Sequence, residues 1–118
     1  MKKIFGKYLI IDFITNELPE YFENADCVDR ILTNCINEVN NTIVSKNYYN
    51  FSPFGLTFIY ILAESSLVYH TYREKDNLIS IDFYTCNINT DFNKFIKLIN
   101  EKFNMKEIKT KKIIKRIY

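Results

Sequence analysis

The amino-acid sequence predicts an α+β fold, a two-layer sandwich of a largely antiparallel sheet and two helices in the order β-α-β-β-β-β-α-β. Two segments carry apolar residues at three- and four-residue spacing, the signature of an amphipathic helix. Four strand-like segments lie between them, and one more at each end of the chain. At 118 residues, with no linker, repeat or low-complexity stretch, the chain is the size of one domain, 1–118.

Each element follows from its local pattern. Residues 7–15 alternate, with Leu9, Ile11 and Phe13 on one face and Ile10 and Ile14 on the other, and read as a strand. Residues 16–24 are a polar connection containing Pro19. Asp26 suits the N-cap of a helix running to about Asn40, with the stripe Val28, Ile31, Leu32, Cys35, Ile36 and Val39. Residues 42–49 are strand-like and lead into the turn Phe51-Ser52-Pro53-Phe54-Gly55, after which 56–62 form a β-rich apolar run. Residues 67–72 and 78–86 are two more strands around the polar turn Glu74-Lys75-Asp76-Asn77. The second helix spans 91–104, with Phe92, Phe95, Ile96, Ile99 and Phe103 on one side. The basic segment 106–118 closes the chain as a strand. These helices leave one sheet face short of cover, which is a reason to expect a second copy of the chain.

Composition narrows the function. Hydrophobic residues are 47% of the chain and aromatics 16%, enough for one core, and a lone domain this small gains from burial in a dimer. A net charge of +2 is too small to mark a nucleic-acid binder. Lys106, Lys109, Lys111, Lys112, Lys115 and Arg116 form either an anion-binding tail or an edge strand whose lysines discourage edge-to-edge pairing. Their alternation with Ile108, Ile113 and Ile117 favours the edge strand. No stretch approaches the ~20 apolar residues of a membrane span, and none resembles a signal peptide. The three cysteines are odd in number and lack metal-ligand spacing, so reduced thiols in a cytoplasmic protein are expected, and no metal.

Chemistry-bearing residues gather in a short stretch. The one histidine, His70, follows Ala63-Glu64-Ser65-Ser66, and Tyr84-Thr85-Cys86 ends the next strand. A serine, a histidine and a cysteine at strand ends can converge as a Ser-His or Cys-His nucleophile site. Equally, they can be a turn serine, a half-exposed strand histidine and a buried thiol, and residue types alone favour that reading.

The order of residues adds a resemblance. Ala63-Glu64-Ser65-Ser66-Leu67-Val68-Tyr69-His70-Thr71-Tyr72-Arg73-Glu74 resembles the processing-site motif of prokaryotic S-adenosylmethionine decarboxylases: a Glu-Ser pair, a histidine five residues after the serine, then Thr-aromatic-x-Glu. Ile81-Asp82-Phe83-Tyr84-Thr85-Cys86 is similar to the family's Asp-x-Phe-Thr-Cys stretch, and Phe51-Ser52-Pro53-Phe54-Gly55-Leu56-Thr57 to its Phe-x-Pro-Tyr-Gly-x-Ser turn. Gly6-Lys7-Tyr8-Leu9 resembles its Gly-x-His-Leu opening.

The resemblance implies a proenzyme that cuts itself between Glu64 and Ser65 into a β chain, 1–64, and an α chain, 65–118. Ser65 would become a covalent pyruvoyl group that forms a Schiff base with the substrate's α-amine and serves as electron sink for decarboxylation. It further implies His70 as processing base, Thr57 as a hydroxyl beside the processing centre and Cys86 as proton donor to the α-carbon. Phe51 would stack on adenine and Glu74 would bind the ribose hydroxyls. The implied substrate is S-adenosylmethionine, the implied assembly a homodimer with active sites near its interface, and the product the aminopropyl donor for spermidine synthesis.

Some positions depart from the family pattern. Ser66 stands where a histidine is common, Phe54 where a tyrosine is, and Tyr8 where a histidine is. Tyr72-Arg73 replaces Trp-Pro, which is expected to free the loop that presents Glu74 and to add a charge near the entrance. Such changes bear on what enters the pocket. They leave open a pyruvoyl-dependent ornithine or arginine decarboxylase, or an unprocessed, catalytically silent binding homologue.

Overall fold

The fold was read from a computed structural model that describes residues 3–118. Its elements are β1 (Ile4–Thr15), α1 (Pro19–Phe22), α2 (Ala25–Glu38), β2 (Ile43–Asn50), β3 (Leu56–Leu62), β4 (Ser65–Tyr72), β5 (Leu78–Thr85), α3 (Phe92–Phe103) and β6 (Met105–Ile117). The six strands form one sheet in the order β2-β3-β4-β5-β1-β6, and every pairing is antiparallel.

Strand alternation divides the sheet into two unlike faces. Leu9, Ile11 and Phe13 of β1, Phe58 and Tyr60 of β3, Leu67 and Tyr69 of β4, and Ile79, Ile81 and Phe83 of β5 are buried. They share one core with Val28, Leu32 and Ile36 of α2 and Phe92, Phe95, Ile99 and Phe103 of α3. Each such side chain contributes about 1.5–3 kcal/mol by leaving water. The other face carries Tyr8, Ile10 and Asp12, Thr57, Ile59 and Ile61, Ser66, Val68 and His70, and Ser80, Asp82 and Tyr84, half-buried or exposed. Ile59 and Ile61 remain 41% and 52% exposed there.

The expected two-layer sandwich is present, with a third, short helix. Pro19 opens α1 at the first-turn position, where its missing N–H costs nothing. The cap of α2 is Asn24, whose side chain accepts from Cys27 N–H at 3.0 Å, rather than Asp26 two residues later. Asp91 caps α3 in the same way through Lys94 N–H at 3.0 Å. β4 starts at Ser65, two residues before the apolar run that marked it. β6 is an edge strand paired only with β1, and its lysines are exposed, as the edge reading requires.

Candidate active site

The β3–β4 hairpin sets the first half of the site. Leu62 pairs with Ser65, so Ala63 and Glu64 make a two-residue turn. Glu64 takes φ 58°, a left-handed conformation that costs a non-glycine residue about 1 kcal/mol. The next hydroxyl is gripped from β5: Ser65 Oγ donates to Thr85 Oγ1 at 3.3 Å and accepts from Cys86 N–H at 3.0 Å. Thr85 is fully buried, donates to Asn41 Oδ1 at 2.8 Å and accepts from Asn87 N–H at 3.0 Å. Asn41 Nδ2 donates in turn to Val39 O at 3.0 Å and to Thr90 Oγ1 at 3.1 Å. Lys7 Nζ reaches Thr90 O at 2.7 Å. Ser65 therefore rests on a satisfied polar network, which fixes its rotamer better than an apolar bed would.

Cys86 sits just past the end of β5 with its sulfur 3.5 Å from the Tyr84 hydroxyl. That hydrogen bond, then burial, raises the Tyr84 phenol above its ordinary range. Gly6 makes room for it, because a Cβ there would lie 2.6 Å from the Tyr84 hydroxyl. The Arg116 guanidinium lies 5.1 Å from the Tyr84 ring centre, a cation–π contact.

His70 belongs to a second group. Thr57 opposes it across β3 and β4, and Thr57 Oγ1 lies 2.8 Å from His70 Nδ1. Asp82 shares that face. Burial raises its carboxyl above the usual range, the charge of Asp12 adds to this, and His70 partly offsets it. His70 is five residues beyond Ser65 on β4, on the order of 16 Å away at strand rise, and alternation points the two side chains to opposite faces. One chain thus brings Ser65 to Cys86 and Thr57 to His70, but keeps the two pairs apart. The convergence of serine, histidine and cysteine that strand-end placement alone left open does not occur within one chain.

The two substrate-contact candidates lie on neighbouring turns. Phe51 N–H donates to Gly55 O at 2.9 Å and closes one of them, with Gly55 at φ 117°, where glycine is favoured. The Phe51 ring is half exposed and meets Tyr49 edge-on, centroids 4.9 Å apart. Glu74 is exposed in the β4–β5 turn. The expectation that losing proline frees this turn is corrected, and Arg73, expected as an added charge near the entrance, lines the cavity there as half of an ion pair. Arg73 donates through Nε at 2.9 Å and through Nη2 to Glu23 Oε1, and its guanidinium lies 4.6 Å from the Phe54 ring centre. Glu23, Thr71, Thr85 and Asn41 are structural partners that motif reading missed. Among the described residues, no cluster of three or more His, Cys, Asp or Glu is placed to hold a metal, and no helix is long and apolar enough to cross a membrane.

Comparison with known proteins agrees with this frame. Residues 7–116 match the family model described as S-adenosylmethionine decarboxylase. The S-adenosylmethionine decarboxylase proenzyme of Thermodesulfovibrio yellowstonii is 35% identical over 81 residues, covering 69% of this chain and 58% of that one. The proenzyme of Picrophilus torridus is 33% identical over 103 residues, covering 84% and 78%. That of Clostridium botulinum is 28% identical over 113 residues and 96% of each chain. Among solved structures, the adenosylmethionine decarboxylase of Aquifex aeolicus superposes with a TM-score of 0.82 at 25% identity, over 97% of this chain and 92% of that one. The sandwich is that of an α+β protein of the adenosylmethionine decarboxylase class. The chain belongs to the S-adenosylmethionine decarboxylase family.

Proposed function

We propose that this chain is a self-processing, pyruvoyl-dependent S-adenosylmethionine decarboxylase, working as a cytoplasmic homodimer and supplying the aminopropyl donor for spermidine synthesis. The observation that carries the reading is Ser65: a hydroxyl placed directly after left-handed Glu64 in a tight hairpin and gripped by Cys86 N–H and Thr85.

Self-cleavage uses this chain's own atoms. Ser65 Oγ attacks the Glu64 carbonyl carbon, an ester forms as the Glu64–Ser65 C–N bond breaks, and the hydroxyl proton ends on the freed amine. The strained turn raises the starting state, and the Cys86 N–H and Thr85 hydroxyl hold the nucleophile. A base then removes the Ser65 Cα proton, and the electron pair expels the Glu64 carboxylate with Oγ. Tautomerisation and addition of one water release ammonia and leave the pyruvoyl end of the α chain. His70 suits the base role, since an imidazole nitrogen can accept a proton and Thr57 fixes its ring through Nδ1.

The residues present fit the group. Serine supplies its carbons at position 65, and the Cys86 amide and Thr85 hydroxyl are polar partners that suit a keto-acyl end. Once made, the group would supply a ketone for the substrate α-amine and an electron sink for decarboxylation. Cys86 holds the proton due to the α-carbon, and Tyr84 orients that thiol. Phe51 offers an exposed ring to adenine and Glu74 a carboxylate to the ribose hydroxyls.

The separation of the two pairs supports the homodimer. Because Ser65 and His70 lie about 16 Å apart toward opposite ends of β4, one chain does not bring them together, and a second copy reversed across the open face would set one copy's His70 near the other's Ser65 end. The open face, with Ile59 and Ile61 exposed beside Thr57 and His70, is the surface that would meet it. One copy then supplies Ser65 and Cys86, and the other Thr57 and His70.

The test is a denaturing intact mass of the purified protein beside Ser65→Ala, followed by carbon dioxide release from S-adenosylmethionine, ornithine and arginine. Two fragments split at Glu64–Ser65, the second lighter by one ammonia, with release from S-adenosylmethionine alone, support the proposal. A single uncut mass for both proteins defeats it in favour of a silent homologue, and release from a basic amino acid moves the substrate.

A further inference from the structure

We propose that Glu23 and Arg73 are a positioning pair that sets the nucleoside end of the pocket. They tie together the two turns that carry Phe51 and Glu74, and the inference rests on reading those residues as nucleoside contacts.

Glu23 follows the last residue of α1 and is 6% exposed in its side chain. One of its carboxylate oxygens takes both Arg73 Nε, at 2.9 Å, and Arg73 Nη2. The other takes the Thr71 hydroxyl at 2.8 Å. Thr71 Oγ1 in turn accepts from Leu56 N–H at 2.9 Å, the first amide after Gly55. Arg73 lies against Phe54 inside the Phe51–Gly55 turn and directly precedes Glu74. A single buried carboxylate therefore reaches both turns: one through Arg73 to Glu74, the other through Phe54 and Leu56 to Phe51. A cavity of about 430 Å³ opens beside the pair, walled by Glu23, Phe51, Phe54, Gly55 and Arg73, a size that suits a small-molecule site.

The physical sense of the pair is preorganisation. Glu74 is a solvated side chain on a turn, and Phe51 is half exposed with Tyr49 edge-on beside it, so little packing holds either. Arg73 directly precedes Glu74, and a charge-assisted pair with Glu23 stiffens that approach. Removing Arg73 leaves the Glu23 carboxylate in a poorly hydrated place, and removing Glu23 releases the half-exposed Arg73, so either change loosens the link between the turns and the two residues act as one unit.

The test compares Glu23→Gln, Arg73→Met and the double variant with the unaltered chain, all as full-length protein. Adenosine binding is measured by calorimetry in the uncut Ser65→Ala background, KM and kcat in the cleaving chain, and Tm throughout. Each single variant is expected to weaken adenosine binding about tenfold and to raise KM by a similar factor with kcat within about twofold. The double variant is expected to do no more than either single one. Arg73→Met carries the result if Glu23→Gln does not fold. Adenosine affinity and KM unchanged in variants with a lowered Tm would show a merely structural brace and overturn the inference. If the Ser65→Ala protein binds no adenosine at all, the nucleoside reading fails and takes the pair's role with it. If it binds adenosine and the Arg73→Met form binds it equally well, only the pair fails.

Discussion

Thr85→Val exchanges one hydroxyl for a methyl of the same shape and isolates what the network under Ser65 does. In the intact protein this hydroxyl donates to Asn41 Oδ1 at 2.8 Å and accepts from Asn87 N–H at 3.0 Å and Ser65 Oγ at 3.3 Å. Valine strands the Asn41 oxygen in a buried place and takes an acceptor from the Asn87 amide. A buried group without a partner costs about 1–3 kcal/mol and a partly wet hydrogen bond about 1 kcal/mol, so the loss is about 2–4 kcal/mol. In a domain of this size that lowers Tm by roughly 10 °C. Urea or thermal unfolding should be run in the Ser65→Ala background, where no chain is cut. The same change lets the Ser65 hydroxyl rotate about its one remaining contact, Cys86 N–H. Losing about 1.4 kcal/mol of orientation slows self-cleavage about tenfold, read as the disappearance of intact mass from newly synthesised chain. Thr85→Ser keeps the hydroxyl and is the control. Cleavage of Thr85→Val at the unaltered rate, with the stability loss present, refutes the assignment of Thr85 as the group that orients Ser65.

Two further outcomes are expected. Burial pushes the Cys35 thiol up to about 12, and the residue is almost fully covered, so iodoacetamide at pH 8 should label Cys27 and Cys86 and spare Cys35 until unfolding. Peptide masses showing Cys35 labelled as fast as Cys27 would contradict this packing. The raised Asp82 carboxyl means that the native protein binds that proton more tightly than the unfolded chain does. Stability from the neutral form is present below the unfolded pKa and lost as pH rises through the higher folded one. Asp82→Asn in the Ser65→Ala background should therefore gain in urea midpoint relative to its parent as pH rises from 4, and parallel curves would reject the shift.

Much of the fold was legible because its periods are long and regular. The stripes of α2 and α3 and the alternation of β1, β3 and β5 are set by burial on one side, which writes itself into residue type. α1 was missed because four residues cannot show a helical period, and Pro19, the one signal, equally suits a loop. The start of β4 was missed because Ser65 and Ser66 are polar, and with it went the parity argument. Counting from Ser65 rather than Leu67 shows at once that Ser65 and His70 face opposite ways. The order of Glu64, Ser65, His70 and Cys86 pointed to one chemistry, while their distribution over two groups depends on register, which no local pattern encodes. Glu23 with Arg73, 50 residues apart, and Thr85 with Asn41, 44 apart, are pairings of fold topology and leave no local trace.

The strand order has a consequence for the molecule after a cut at Glu64–Ser65. Residues 1–64 contribute β2, β3 and β1, and residues 65–118 contribute β4, β5 and β6. In the sheet these interleave, with β1 wedged between β5 and β6. Neither piece owns a continuous sheet, and parting them means opening three seams, β3–β4, β5–β1 and β1–β6, at once. The cut therefore changes the molecularity of folding while leaving the native form closed. The precursor finds its structure by a first-order search, whereas the processed protein, once unfolded, must reassemble from two chains at a rate set by their concentration. Under the proposed cut, processing would be a ratchet: the protein would fold first as one chain and be cut afterwards.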